Sequence, residues 1–267
     1  MDGPLKWHGG KTQLASKHVA FFPDHIHYVE PYFGGGSVLF AKPNYMINDH
    51  SEVINDINGT LIDFWRVLQD LHLFDHFEEQ VEATPFSEDM FRLSDVPSND
   101  LVTKAVRFFV RNRQSRQGLM EDFATLSRTR TRRGMNEQVS SWLTAIEGLP
   151  EIHSRLKRVV ILNRNALDVI RSQDGPETFF YLDPPYLHET RVSKDAYEFE
   201  MSTEDHAELL ELLAGIEGRF MLCGYPSDLY DSTARSCGWC TLDFDVPLNS
   251  SSKSIKERKI ERVWTNY

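Results

Sequence analysis

Thr178-Phe179-Phe180-Tyr181-Leu182-Asp183-Pro184-Pro185-Tyr186 is an apolar run that ends in a carboxylate, two prolines and an aromatic ring. Residues 178 to 182 show no polar alternation, which predicts a central parallel strand covered on both faces. Asp183 then stands where that strand leaves the sheet, and ligands of open α/β sheets bind outside the carboxyl ends of strands. The prolines hold φ at about −65° and remove two backbone donors, which leaves the Pro184 carbonyl available as an acceptor. Carboxylate, carbonyl and ring together suit stacking a planar base and accepting hydrogen bonds from its amino group. Read alone, the tetrapeptide fits equally well a Pro-Pro turn whose Asp satisfies nearby amides.

A second segment lies near the amino end of the chain. Ile26 to Val29 reads as a short strand and is followed by Glu30-Pro31-Tyr32-Phe33-Gly34-Gly35-Gly36, which opens a helical run at Ser37-Val38-Leu39-Phe40. Glycines there let backbone approach a ligand and let the helix pack closely on the strand. Asp56 lies 20 residues beyond Gly36, after the strand-like Glu52-Val53-Ile54-Asn55. That spacing is the one at which an acidic side chain reaches ribose hydroxyls in a nucleotide-binding βαβ unit. Asp49 competes for the role, but Asp56 directly precedes a clear helical pattern from Leu61 to Leu68.

Four ordered segments resemble the Dam-like, D12-class, α-group family of adenine-N6 DNA methyltransferases. Leu5-Lys6-Trp7-His8-Gly9-Gly10-Lys11 is similar to its amino-terminal cofactor motif and Glu30 to Gly36 to its glycine motif. Asn55-Asp56-Ile57-Asn58 is similar to its ribose motif and Asp183 to Tyr186 to its catalytic motif. The resemblance covers residues 5 to 70 and 159 to 267, and the middle only loosely. It implies an α/β fold, a Rossmann-like methyltransferase sheet with an inserted, mainly helical target-recognition domain. It implies S-adenosyl-L-methionine as methyl donor, held by Trp7, Lys11, Asp56, Asp183 and the backbone of Gly34 to Gly36. It also implies an adenine flipped out of double-stranded DNA and placed among Asp183, Pro184 and Tyr186. In the segment before the catalytic strand, relatives often carry an acid where this chain has Asn165. Asn165 could still accept from the cofactor's adenine amino group, and Asp168 is the alternative.

Composition sets the remaining bounds. A chain of 267 residues, 40% hydrophobic, can bury one large core or a core with a small insertion. No apolar stretch reaches the roughly 20 residues needed to span a bilayer, and Met1-Asp2-Gly3-Pro4 does not read as a signal peptide, so a cytoplasmic protein of a bacterial or phage-infected cell is expected. Cys237-Gly238-Trp239-Cys240 has the spacing of a redox or zinc pair, but no second Cys or His pair follows. None of the three cysteines is preceded by Pro as in cytosine-C5 methyltransferases, so neither a metal nor a covalent intermediate is expected.

The net charge of −11 is unevenly placed. From Thr103 to Arg133 nine basic residues stand against two acidic ones, a local net of +7 that leaves −18 for the rest. A footprint for DNA is a local patch rather than a sum. Arg111-Asn112-Arg113-Gln114-Ser115-Arg116 carries side chains suited to base edges and phosphates, and in the family a similar Asn-Arg segment contacts DNA, although the aromatic residues usual there are missing. Lys253, Lys256, Arg258, Lys259 and Arg262 form a second basic cluster after the polar stretch Asn249 to Ser252. Both clusters also read as solvated loops. Residues 61 to 158 hold helical periodicity and almost no strand pattern, so they are expected to form the inserted recognition domain, with 1 to 60 and 159 to 267 as the catalytic domain.

After Tyr186 comes a polar stretch, Leu187 to Met201, with Arg191 and Lys194 available for phosphates. A helix from Glu204 to Ala214, a strand at Phe220-Met221-Leu222 and an edge hairpin of Thr241 to Val246 with Arg262 to Tyr267 are expected to follow. Tyr225 and Pro226 follow a strand end and are candidates to line the site. A monomer is expected. An RNA or protein-amide acceptor on the same fold, and a catalytically silent DNA-binding protein, remain the alternatives.

Overall fold

The computed structural model describes residues 1–7, 9–43, 50–187, 199–247 and 258–267. They divide into two compact units: Met1–Phe21, Gly34–Asn48 and Asn58–Asn163 in the first, Phe22–Phe33, Asp49–Ile57 and Arg164–Tyr267 in the second.

The second unit carries strands β1 (His27–Glu30) and β2 (Ser51–Asn55). The first unit contributes β3 (Thr131–Arg132), β4 (Met135–Asn136) and β5 (Val160–Leu162). The chain then adds β6 (Thr178–Leu182), β7 (Arg219–Gly224), β8 (Cys240–Pro247) and β9 (Arg258–Thr265). A seven-stranded sheet has the order β5-β2-β1-β6-β7-β9-β8. β2, β1, β6 and β7 pair in parallel, and β9 is antiparallel to both β7 and β8. This is a Rossmann-like, mainly parallel sheet, as the resemblance implies, and its strand order reverses between β1 and β6, the position at which open α/β sheets bind ligands.

All five residues of β6 are buried, as the unbroken apolar run predicts. Helices α9 (Ala166–Gln173), α10 (Thr203–Leu213) and α11 (Asp228–Cys237) complete this unit. The α10 start is a capping box: Ser202 Oγ accepts from the Asp205 N–H, and Asp205 accepts from the Ser202 N–H. The expected antiparallel pair at the sheet edge exists, with β9 next to β7 and β8 outermost on that side. β9 begins four residues earlier than its pattern suggests, and charged residues carry its outer positions.

The first unit is built from short helices α1 (Ala15–Val19) and α2 (Ser37–Ala41) and the longer α3 (Gly59–Gln69), α4 (Leu71–Glu82), α5 (Glu88–Leu93), α6 (Leu101–Gln114), α7 (Glu137–Glu147) and α8 (Leu149–Leu156). Asn58, Asp70, Ser87 and Asp100 cap α3 to α6 with side-chain oxygens, each answering backbone donors that a helix start leaves unpaired. The core is aromatic: Phe64, Trp65, Phe77 and Phe109 are fully buried, with Phe64 stacked on Phe109 at 6.0 Å and Phe109 against Trp142 at 5.3 Å. Phe40 of α2 joins this core at 5.8 Å from Trp65, which groups the amino-terminal segment with the helices. One strand pair here is not evident from periodicity. Arg133 and Gly134, at φ 56° and 75°, make the two-residue turn of the β3–β4 hairpin, where both positions require left-handed backbone.

Candidate active site

The parallel register of the second unit aligns two carboxylates. Val29 pairs with Val53 on one side and with Phe180 on the other. Continued past the strand ends, both registers bring Asp56 and Asp183 level with Tyr32, one strand to either side of β1. Strands spaced by about 4.8 Å put their two Cα atoms roughly 10 Å apart across the switch point. Asp56 and Asp183 are each half-buried.

The residues beside Asp56 are structural. Asn55 is fully buried; its Nδ2 donates to the carbonyls of Pro31 and Arg164 at 3.0 Å each, and its Oδ1 accepts from the Arg164 N–H at 2.9 Å. One amide thus ties together the ends of three segments and frames Asp56. Asn58 caps α3 by accepting from the Leu61 N–H at 3.0 Å. Asn165 is a helix cap as well, its Oδ1 accepting from the Leu167 N–H at 2.8 Å, while Asp168 pairs with Arg171 at 3.2 Å on the surface. The expected acceptor at 165 is therefore already engaged by backbone, and Asp168 is engaged by an arginine.

Beyond Asp183, Pro184 is buried and the Tyr186 ring packs edge-on against Tyr225, centroids 4.7 Å apart at 74°. Tyr186, Leu187, Gly224, Tyr225 and Tyr230 line a small pocket. Tyr186 Oη donates to Glu261 Oε1 at 3.0 Å, and Lys259 Nζ lies 3.5 Å from the Tyr225 ring centroid. Burial holds the Tyr230 phenol above its ordinary range, with Tyr32, Cys223 and Asp183 adding to the rise. The Tyr181 phenol is raised by burial and then by Cys223 and Asp183. Tyr225 was accessible to sequence reasoning from its place after a strand; Lys259 was read there as part of a basic cluster and is found over the Tyr225 ring, and Glu261 was not singled out.

In the first unit, Trp7 lies across the glycine turn. A Cβ on Gly34, which sits at φ +51°, would meet the Trp7 indole nitrogen at 2.6 Å, and one on Gly35 would meet Trp7 Cβ at 2.5 Å. The glycines at 34 and 35 are thus required by close approach of a tryptophan, in addition to any ligand. Trp65 Nε1 donates to the Gly34 carbonyl at 3.2 Å and fixes the turn from below. Gly36, at φ +72°, is the residue before α2. Lys11 is buried, with Nζ 3.3 Å from the Gly9 carbonyl. Close by, burial, followed by Lys11 and Lys17, lowers the His18 pKa to about 3.

The Asn-Arg segment at the end of α6 is largely turned inward. Asn112 is fully buried, and its amide accepts from the Lys6 N–H at 2.8 Å and donates to the Lys6 carbonyl at 3.0 Å, in the manner of a neighbouring strand. Arg113 donates to the Ser141 carbonyl at 2.9 Å, and its burial lowers its pKa to about 10. Arg111 pairs with Asp95 at 2.8 Å and donates to the Met120 carbonyl. Arg116, Arg128 and Arg132 are exposed. Gly118, at φ +79°, leaves room for Lys6, whose carbonyl would lie 2.1 Å from a Cβ there. In the second basic cluster, Arg258 pairs with Asp245 and Arg262 with both Asp243 and Asp231, each within 3.0 Å. Lys253, Lys256, Arg191, Lys194 and Asp49 lie outside the described residues.

Among the described residues, no group of three or more His, Cys, Asp or Glu is placed to hold a metal ion, and no helix is long and apolar enough to cross a membrane. The family model of D12 class N6 adenine-specific DNA methyltransferases matches residues 7–235. The type II methyltransferase M.MjaIII of Methanocaldococcus jannaschii is 26% identical over 246 residues, 80% of each chain. The type II methyltransferase M1.LlaDCHI of Lactococcus lactis subsp. cremoris is 24% identical over 98% of this chain and 94% of its own. M.CviBI, a type II methyltransferase of Paramecium bursaria Chlorella virus NC1A, is 23% identical over 68% of each. With Asp56 and Asp183 flanking β1 on a methyltransferase sheet, and this family matching most of its length, the chain belongs to the D12 class N6 adenine-specific DNA methyltransferases, which methylate adenine in DNA with S-adenosyl-L-methionine.

Proposed function

We propose that this protein is a site-specific methyltransferase of double-stranded DNA in which Asp183, Pro184 and Tyr186 engage the target adenine. The observation that carries the reading is the register that puts Asp56 and Asp183 on either side of β1 at one level. The donor set fits the methyl donor: a carboxylate at the end of β2 suits ribose hydroxyls, and an indole and a buried ammonium suit its nucleoside and carboxylate parts. Trp7, Lys11, Asp56, Asp183 and the Gly34 and Gly36 backbone would hold it. When bound, S-adenosyl-L-methionine supplies an electrophilic methyl group on a sulfonium.

The chain's own residues prepare the nucleophile. The N6 lone pair of adenine is conjugated with the ring, and hydrogen bonds from the amine to the Asp183 carboxylate and the Pro184 carbonyl draw it out of that conjugation. Tyr186 stacks on the base face, and holding the reactants in line removes much of the entropy cost of the encounter. The base leaves the duplex at an unstacking cost of a few kcal/mol, which pocket contacts offset. No metal enters this scheme.

Residues 61–158 are the proposed target-recognition insertion, with Arg116, Arg128 and Arg132 on its exposed surface and Lys253 as a further phosphate contact. Arg111, Asn112 and Arg113 shape this region, the last two chiefly by holding Lys6 and α7. A monomer acting in the cytoplasm fits the proposal. The test is methyl-labelled S-adenosyl-L-methionine with unmethylated genomic DNA, followed by sequencing that detects N6-methyladenine. Label on adenine in one short context supports the reading. Asp183→Ala should abolish transfer while preserving nonspecific DNA binding, and wild-type activity in that variant would sink the role of Asp183.

A further inference from the structure

Glu261 is a carboxylate at 7% exposure inside a β-sheet, a placement that costs desolvation unless the charge is well partnered. Tyr186 Oη donates to it at 3.0 Å. β7 and β9 pair antiparallel with Gly224 opposite Arg262, so the next step of the register sets Tyr225 opposite Glu261. Lys259, two residues earlier and on the same face of β9, places Nζ 3.5 Å from the Tyr225 ring centroid. Tyr225 in turn meets the Tyr186 ring edge-on at 4.7 Å. The ring that follows the two prolines is therefore held at both ends, by a carboxylate at its hydroxyl and by a second aromatic along its side.

We infer that Glu261 is a positioning residue for the methyl transfer: through the Tyr186 hydroxyl it sets the plane on which the target adenine stacks. This rests on the reading of Tyr186 as the stacking partner and adds to it the group that orients the ring. Stacking against a base needs an aromatic face, which Phe would supply as well as Tyr; the phenol matters only if its hydroxyl is anchored. A buried acceptor on another strand, 75 residues away in sequence, provides that anchor. A ring free to rotate about χ1 and χ2 would stack in several planes, and only one aims the amine at Asp183 and the methyl group.

The experiment is a double-mutant cycle on the full chain: Tyr186→Phe, Glu261→Leu, the double variant and the conservative Glu261→Gln. Readouts are kcat and KM for DNA, the Kd of S-adenosylhomocysteine by calorimetry, and fluorescence of 2-aminopurine substituted for the target adenine once the site has been mapped. Tyr186→Phe and Glu261→Leu should each lower kcat/KM for DNA by about tenfold, the size of one lost hydrogen bond to a charged group. The double variant should be no worse than either single one. Glu261→Gln, which still accepts from the phenol, should stay within about threefold of wild type on the same scale. The 2-aminopurine signal should fall in step with kcat, and the cofactor-product Kd should not move. Full activity in Glu261→Leu, or losses that multiply in the double variant, would overturn the inference while leaving Tyr186 as the stacking partner. Full activity in Tyr186→Ala would instead overturn the reading of Tyr186, and the inference with it.

Discussion

Replacing Asn112 by Ala separates two roles that its sequence context confuses. As a base-reading residue it would contribute specificity and little stability; as the structure places it, it holds the Lys6 backbone by two hydrogen bonds of 2.8 and 3.0 Å at a fully buried position. Truncation leaves one N–H and one carbonyl of Lys6 without their partner, each at about 1–3 kcal/mol, so the variant should lose about 2–6 kcal/mol. For a chain of this size a kcal/mol moves Tm by about 2–4 °C, which predicts a fall of roughly 4–24 °C. Differential scanning calorimetry reads this directly, with DNA binding measured well below the transition. Asn112→Asp should be intermediate, because it keeps the acceptor for the Lys6 N–H and sets a carboxylate against the Lys6 carbonyl. A Tm unchanged to within about a degree, together with a loss of about 1–3 kcal/mol in discrimination between DNA sequences, would refute the reasoning and restore the base contact.

Asp56→Ala should raise the KM for S-adenosyl-L-methionine by about ten- to a hundredfold with a smaller effect on kcat, since a ribose contact is made in ground and transition states alike; an equal loss in kcat would contradict the ribose role. Arg116→Ala should weaken DNA binding uniformly across sequences and reduce the slope of log K against log salt by about one, as counterion release requires of a phosphate contact, and an unchanged slope would remove it from the interface. Burial, with Lys11 and Lys17, lowers the His18 pKa from 6.5 to about 3, so the unfolded chain binds a proton there that the native chain refuses. Stability from this group is complete above pH 6.5 and declines as pH falls toward 3, by roughly 1 kcal/mol per unit, and urea titrations should show a His18→Leu variant losing less stability over that window than wild type.

The parts of the fold legible in the sequence are those that short-range pattern determines. The unbroken run at 178–182 became the fully buried β6, and Asp56 and Asp183 stand just beyond the strands that their flanking residues predicted. What was not legible depends on partners remote in the chain. Asn112 and Arg113 have the side chains of nucleic-acid contacts, yet Lys6 and Ser141 take them, and no local feature of residues 111–116 announces residue 6. Arg258 and Arg262 resemble phosphate ligands for the same reason. Their acids lie on β8 and α11, and those cross-strand ion pairs, in place of apolar alternation, extend β9 to residue 258. The glycines at 34 and 35 were visible as a ligand turn, but their service to Trp7 was hidden because the tryptophan is 27 residues upstream of Gly34. Arg133-Gly134 carried a readable signal, a two-residue Xaa-Gly loop, which helical periodicity on both sides obscured.

The inverted position of β9 also constrains how the chain is made. β8 is synthesised before β9 but pairs only with it, so as the polypeptide leaves the ribosome β8 has no neighbour in the sheet until residues 258–265 have followed. Until then the parallel array must end at β7 with an unprotected flank, and Tyr186 lacks both the Glu261 acceptor and the Lys259-backed wall. The carboxylates at the ends of β2 and β6 thus depend on local strand pairing alone, whereas the wall beside Tyr186 is complete only once β9 has docked on β7.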